Sequence, residues 1–156
     1  MPVNRKKIAP QISLYGATRQ NELWATDIVR CDNSHRTRIL IVLDVFTRLP
    51  MILTTLDSGA ATAGQLITHL NEASRGRRPE TLWVDHSFEF KSEELKEWSA
   101  QQAIDILYGL PAVPRIFFGK FLQRLSIFLS ENATLEPGDL GRKLAEWRAH
   151  YKVAAE

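Results

Sequence analysis

Apolar and polar positions change period several times along this chain, and each change marks an element. Leu23 to Arg30 is a short apolar run, and Cys31 to Arg36 follows with the Asp, Asn and Ser of a turn, so the pair opens a hairpin. Arg38 to Phe46, R-I-L-I-V-L-D-V-F, is β-branched and almost continuously apolar, which predicts a central strand buried on both faces. Leu49 to Thr55 returns as a third strand after a Thr47-Arg48 turn. Gly59 to Ser74 then shifts to the helical period. Ala63, Leu66, Ile67, Leu70 and Ala73 fall on one stripe, and Gly76 ends it. Thr81 to Asp85 predicts a fourth strand. A helix follows, with Ser92 as its N-cap, Glu93 and Glu94 at the positive end of its dipole, and Leu95 and Trp98 facing inward. Ile104 to Tyr108 makes a fifth strand, and Pro111 and Pro114 mark a loop. Ile116 to Ser130 is a helix whose stripe of Phe118, Phe121, Leu122, Leu125 and Leu129 predicts its buried face. After a Pro137-Gly138 turn, Leu140 to Tyr151 carries Leu144, Trp147 and Tyr151 at helical spacing.

Length and composition narrow this to one domain. The 156 residues are 44% hydrophobic, enough for a single sizeable core. Residues 1–20 are polar and basic, broken by Pro2, Pro10 and Gly16, and read as an arm or linker. The core then spans 21–151, with 152–156 as a tail. One cysteine, Cys31, excludes an internal disulfide, and with four scattered histidines it leaves no zinc-finger spacing. No apolar run reaches the length of a membrane span, and no signal-peptide core follows the basic N-terminus. A soluble, cytoplasmic protein without membrane contact is expected. The net charge of +2 does not announce nucleic acid, so a basic surface must come from clustering. The clusters are Arg5-Lys6-Lys7, Arg75 with Arg77-Arg78, and Arg115 with Lys120 and Arg124. Each also has a plain reading as a solvated face.

Chemistry is concentrated in two blocks, Trp24-Ala25-Thr26-Asp27 and Val84-Asp85-His86-Ser87-Phe88-Glu89-Phe90, each of which puts an aspartate at the end of an apolar, strand-like run. Carboxylates at strand ends are suited to holding a divalent metal over a phosphate. Asp44 precedes the Phe46-Thr47-Arg48 turn and reads as a hydrogen-bonding structural acid. Trp24, Trp83, Trp98 and Trp147 read as packing residues. His86 is a candidate base or ligand, with a simple hydrogen-bonded role as the plainer reading.

The order β-β-β-α-β-α-β-α-α, with acids at the ends of the first and fourth strands, resembles the ribonuclease-H-like catalytic core shared by retroviral integrases and bacterial insertion-sequence transposases. Leu23-Trp24-Ala25-Thr26-Asp27-Ile28 is similar to the family's first block, a tryptophan followed shortly by T-D. Leu43 to Arg48, L-D-V-F-T-R, is similar to its D-x-(F/Y)-(S/T)-R segment, and Asp85 to Phe90 to its D-N-G-x-E-F. Leu95 to Trp98, the P-x-x-P of Pro111 to Pro114, and the W-x-x-x-Y of Trp147 to Tyr151 complete six blocks in order, from about Asn21 to Tyr151. The resemblance implies an α/β, ribonuclease-H-like mixed five-stranded sheet flanked by helices. It also implies Asp27 and Asp85 as catalytic metal ligands for Mg²⁺ or Mn²⁺, DNA as partner, and transposition or integration by phosphoryl transfer. Glu89 stands as a substitute ligand. Lys120, Arg124 and Arg115 stand as candidate nucleic-acid contacts.

The family's third acid has no counterpart. Its usual spacing after the second acid lands near Phe121, and its helix motif points to Leu122 or Arg115, none of them acidic. Glu131 is further on by about 15 Å of helix, at 1.5 Å per residue. The second block also carries His86 and Ser87 where the family has Asn and Gly, and a serine in place of a positive-φ glycine would strain or shift the loop. Because the chain starts almost at the core, a helix-turn-helix region is not in view. The expectation is a truncated and impaired transposase core. Two other classes stay open: a remnant that binds DNA, itself or full-length transposase in a regulatory role, and an unrelated α/β nuclease or small-molecule enzyme.

Overall fold

A computed structural model describes residues 17–31, 36–56, 63–84, 92–109 and 112–151, with the side chains of 112–114 left aside. Five strands form one sheet in the order β3-β2-β1-β4-β5: β1 (Leu23–Arg30), β2 (Arg38–Asp44), β3 (Pro50–Leu56), β4 (Thr81–Val84) and β5 (Asp105–Tyr108). β2 runs antiparallel to both β1 and β3, whereas β4 joins β1, and β5 joins β4, in parallel. A parallel pair needs a crossover, and the two helices α1 (Ala63–Ala73) and α2 (Glu93–Gln101) supply it. The mixed five-stranded sheet expected from the element order is therefore present.

Strand alternation sends successive side chains to opposite faces and divides the core in two. On one face, Trp24, Leu40, Val42, Leu82 and Val84 pack with Leu66 and Leu70 of α1 and Leu95 and Trp98 of α2. On the other, Leu23, Ala25, Ile39, Ile41 and Leu43 pack with Phe118, Phe121 and Leu125 of α3 (Ala112–Glu131) and Leu144 of α4 (Pro137–Ala149). β2 is buried on both faces, as its unbroken apolar run predicts, although β1 and not β2 is the middle strand.

Helix ends follow capping chemistry. Ser92 accepts a hydrogen bond from the Leu95 N–H at 3.2 Å, and Glu93 and Glu94 occupy the first turn of α2. The indole of Trp98 donates to Asn71 Oδ1 at 2.7 Å, which fastens α2 to α1. Two expectations are corrected by the same rule. Pro114 lies inside the first turn of α3 rather than in a loop, and Pro137 opens α4 as its first helical residue rather than forming a turn. The first N–H groups of a helix have no intrahelical partner, so a proline there forfeits nothing. A third correction concerns β2, which ends at Asp44 because that side chain turns the chain at Phe46 and Thr47.

The stripe foreseen for α3 is the buried one. Phe118, Phe121 and Leu125 are buried, with Leu122 and Leu129 half-buried beside them. Gly119 sits mid-helix, and a Cβ added there would meet nothing within 4 Å. Gly119→Ala is thus expected to stabilise the protein by about 0.5–1 kcal/mol, through the helix propensity and unfolded-chain entropy of glycine. A denaturant midpoint that fell would show an unseen steric demand at this position.

Candidate functional site

Asp27 is the fifth of the eight residues of β1, so the aspartate ends an apolar run but not a strand. Pairing explains the difference. Ile28, Val29 and Arg30 stay registered with Leu40, Ile39 and Arg38 of β2, whereas the described ladder with β4 stops at Ala25 and Trp83. On its β2 side Asp27 is registered with Ile41 inside the ladder, so the break in the apolar run does not end the strand. It is half-buried, and its Oδ1 accepts the N–H of Ile28 at 2.9 Å.

Alternation puts Asp27 on the same face as Ala25 and Val29, beneath α3. Two contacts fix which part of that helix passes over it. Trp83, registered with Ala25, meets Phe118 edge-on at 6.2 Å between ring centroids. Val29 lines a groove with Leu122 and Leu125. The level of Asp27 on α3 therefore lies between Phe118 and Leu122, a stretch that contains Gly119, Lys120 and Phe121 and no acid.

The three positions suggested for a third acid separate in space. Arg115 is exposed near the start of α3. Phe121 turns toward α4, with ring centroids 5.7 Å from Trp147 and 5.2 Å from Tyr151. Leu122 alone combines partial burial with the Asp27 face. Glu131 is exposed at the far end of the helix. Lys120 and Arg124 share one helix face, and the Arg124 guanidinium lies 4.3 Å over the Tyr151 ring. Arg115 is five residues before Lys120, about 140° around the helix, so the three bases do not form one stripe.

Asp44 fulfils its reading as a structural acid. It is fully buried, and its carboxylate accepts three backbone N–H groups: Asn21 at 2.7 Å, Phe46 at 2.9 Å and Thr47 at 2.8 Å. Arg48, which completes the same L-D-V-F-T-R block, adopts a positive φ of 62° and stacks its guanidinium 3.5 Å from the centre of the Phe117 ring. The block thus shapes the turn beside α3. Trp24 and Trp98 are buried and Trp83 and Trp147 half-buried, all in packing roles.

Asp85, His86, Ser87 and Glu89 lie outside the described residues, as do Arg5, Lys6 and Lys7. Among the described residues, no group of three or more His, Cys, Asp or Glu side chains could hold a metal ion. Asp27 offers the hard oxygen donor that Mg²⁺ prefers, but one carboxylate is short of a metal site. No helix among the described residues is long and apolar enough to cross a membrane.

No family model matches the sequence, and neither does any curated protein. Solved structures do match. The catalytic core domain of BIV integrase superposes with a TM-score of 0.69 at 14% identity, covering 87% of this chain and 88% of that one. A chain of the simian T-cell lymphotropic virus intasome, solved by cryo-EM in complex with PP2A regulatory subunit B56 gamma, gives 0.64 at 20% identity. That match covers 92% of this chain and 54% of the intasome chain, so the sequence spans about half the length of that relative. Sheet order, helix placement and superposition agree: the chain has the ribonuclease-H-like fold of an integrase catalytic core.

Proposed function

We propose that this chain is a transposase- or integrase-like core whose capacity for metal-dependent phosphoryl transfer on DNA is impaired. The observation that carries the reading is the apolar stretch of α3 over Asp27, where Phe118 and Leu122 bracket a level without a carboxylate. Asp27 belongs to β1, and Asp85 follows β4 directly in the sequence, on the strand that pairs with β1. Asp27 and Asp85 are the residues that would hold a divalent ion, with Glu89 as a substitute ligand. Such an ion, when bound, polarises a phosphoryl oxygen and lowers the pKa of an attacking water. The chain's own contribution is to set Asp27 on an interior strand, on the face that α3 covers with Phe118 and Leu122. Among the described residues, the stretch of α3 over Asp27 supplies no facing carboxylate to complete the oxygen donor set.

Purified protein supplied with Mg²⁺ or Mn²⁺ and DNA ends is expected to show no strand transfer, and Asp27→Asn to behave identically. DNA binding should be weak and should fall steeply with salt, because it rests on scattered bases such as Lys120 and Arg124. Strand transfer or nicking by the unmodified chain that disappears in Asp27→Asn would show a working site and end the proposal. The same missing acid also favours a regulatory reading, since a core that keeps its fold keeps its surfaces. Co-purification with full-length transposase, together with inhibition of its strand transfer, would support that alternative.

A further inference from the structure

Away from Asp27, on the outer edge of the sheet, α1 and α4 flank β3 and leave an open groove of about 470 Å³. That is within the range of about 300–1,000 Å³ typical of small-ligand sites. Its floor is the edge strand from Met51 to Thr54, and its walls carry His69, Arg75, Arg77 and Arg148 against a single acid, Glu72. Placing Arg75 and Arg77 just past the C-terminus of α1 has an ordinary explanation in the helix dipole. That does not explain their convergence on Arg148, which comes from α4, seventy or so residues later in the chain.

Arg148 is anchored by two hydrogen bonds to the backbone of β3. Its Nε donates to the Pro50 carbonyl at 3.3 Å and its Nη2 to the Met51 carbonyl at 2.8 Å, so the fork is anchored to the sheet edge. A guanidinium has five N–H donors in a fixed plane, and these two bonds leave Nη1 available without further ordering. Burial and then the nearby charge of Arg77 push the Arg148 guanidinium below its ordinary pKa. Among the described residues the side chains of Arg75 and Arg77 have no acidic partner. Small residues on α4, Gly141 and Ala145, keep the groove open.

We propose that this groove binds a phosphate-type anion, held by the anchored Arg148 fork with Arg75 and Arg77 closing over it. An oxyanion there would accept charge-assisted hydrogen bonds and relieve the repulsion between the cations. The site is independent of Asp27 and stands whether or not the chain can catalyse phosphoryl transfer. The same chemistry has two sources, a free phosphoryl anion and a phosphodiester of DNA.

The test is an NMR titration of the full chain with inorganic phosphate and, separately, with a short DNA duplex, without added metal. Phosphate should shift the amide resonances of Met51 to Thr54. The Arg75→Ala/Arg77→Ala variant should weaken that binding by about tenfold or more. A charge-matched control, Arg78→Ala/Arg142→Ala, removes two cations that do not line the groove and should bind as the unmodified protein does. Duplex DNA that shifts the same amides and competes with phosphate identifies a phosphodiester, and duplex that leaves them unmoved identifies the free anion. If neither probe moves these resonances, or if both double variants lose binding equally, there is no built site.

Discussion

Replacing Asp44 with alanine is expected to cost the fold about 2–4 kcal/mol, a large share of the stability of a domain this size. The carboxylate is fully buried and gathers three backbone N–H groups from two separate segments, Asn21 before β1 and Phe46 and Thr47 after β2. Alanine leaves those donors facing an apolar methyl. Water can reach Phe46, which is exposed, but the part-buried Asn21 bond has no evident replacement. Asp44→Asn should recover part of the loss. Its carbonyl oxygen can still accept from Phe46 and Thr47, while its amide group would present donors to the Asn21 N–H. Chemical denaturation is the appropriate measurement, since a lower midpoint at unchanged slope reports stability and not a change in the unfolded chain. A midpoint shift in Asp44→Ala equivalent to less than about 0.5 kcal/mol, the usual range for surface substitutions, would remove Asp44 from its structural role.

Much of this arrangement is legible in the sequence, because the signals are local. The unbroken Ile39 to Leu43 run requires a strand covered on both sides, and both core clusters draw on it. The Leu66 and Leu70 stripe, the Ser92 cap and the Phe118-Phe121-Leu125 stripe need only helical spacing and a hydroxyl at the right place. Proline misleads for a definite reason. At Pro114 and Pro137 the residue that stops a helix interior also suits a helix start, and sequence alone does not separate the two uses. Asp27 misleads differently, because a polar residue interrupts an apolar run without interrupting backbone pairing to β2. The groove of Arg75, Arg77 and Arg148 depends on two helices from opposite sheet faces flanking an edge strand, a long-range fact with no spacing signal. The basic cluster of Arg75 with Arg77-Arg78 is nevertheless visible in the sequence, and a cation anchored elsewhere is what gives two of its members a common target.

Supplying the absent carboxylate should have the opposite sign on metal binding and on stability. Leu122→Glu is expected to raise Mn²⁺ affinity by about tenfold or more, equivalent to about 1.4 kcal/mol, while lowering stability by about 2–3 kcal/mol. Position 122 is chosen by geometry. It faces the Asp27 side of β1 near Val29 and is half-buried, so a glutamate there has both a direction and some access to water. Phe121→Glu would instead place a charge among Trp147 and Tyr151 and is expected to prevent folding. Arg115→Glu changes an exposed residue of the first turn of α3 and should leave stability within about 0.5 kcal/mol. Calorimetric titration with Mn²⁺ separates these cases, and adding Asp27→Asn to Leu122→Glu should cancel the gain, because the new carboxylate acts only jointly with the old one. A folded Leu122→Glu protein that binds Mn²⁺ no better than the unmodified chain would mean that α3 does not bring this position over Asp27. A gain that survived Asp27→Asn would mean that the metal sits elsewhere, and the assignment of Asp27 as a ligand would fall with it.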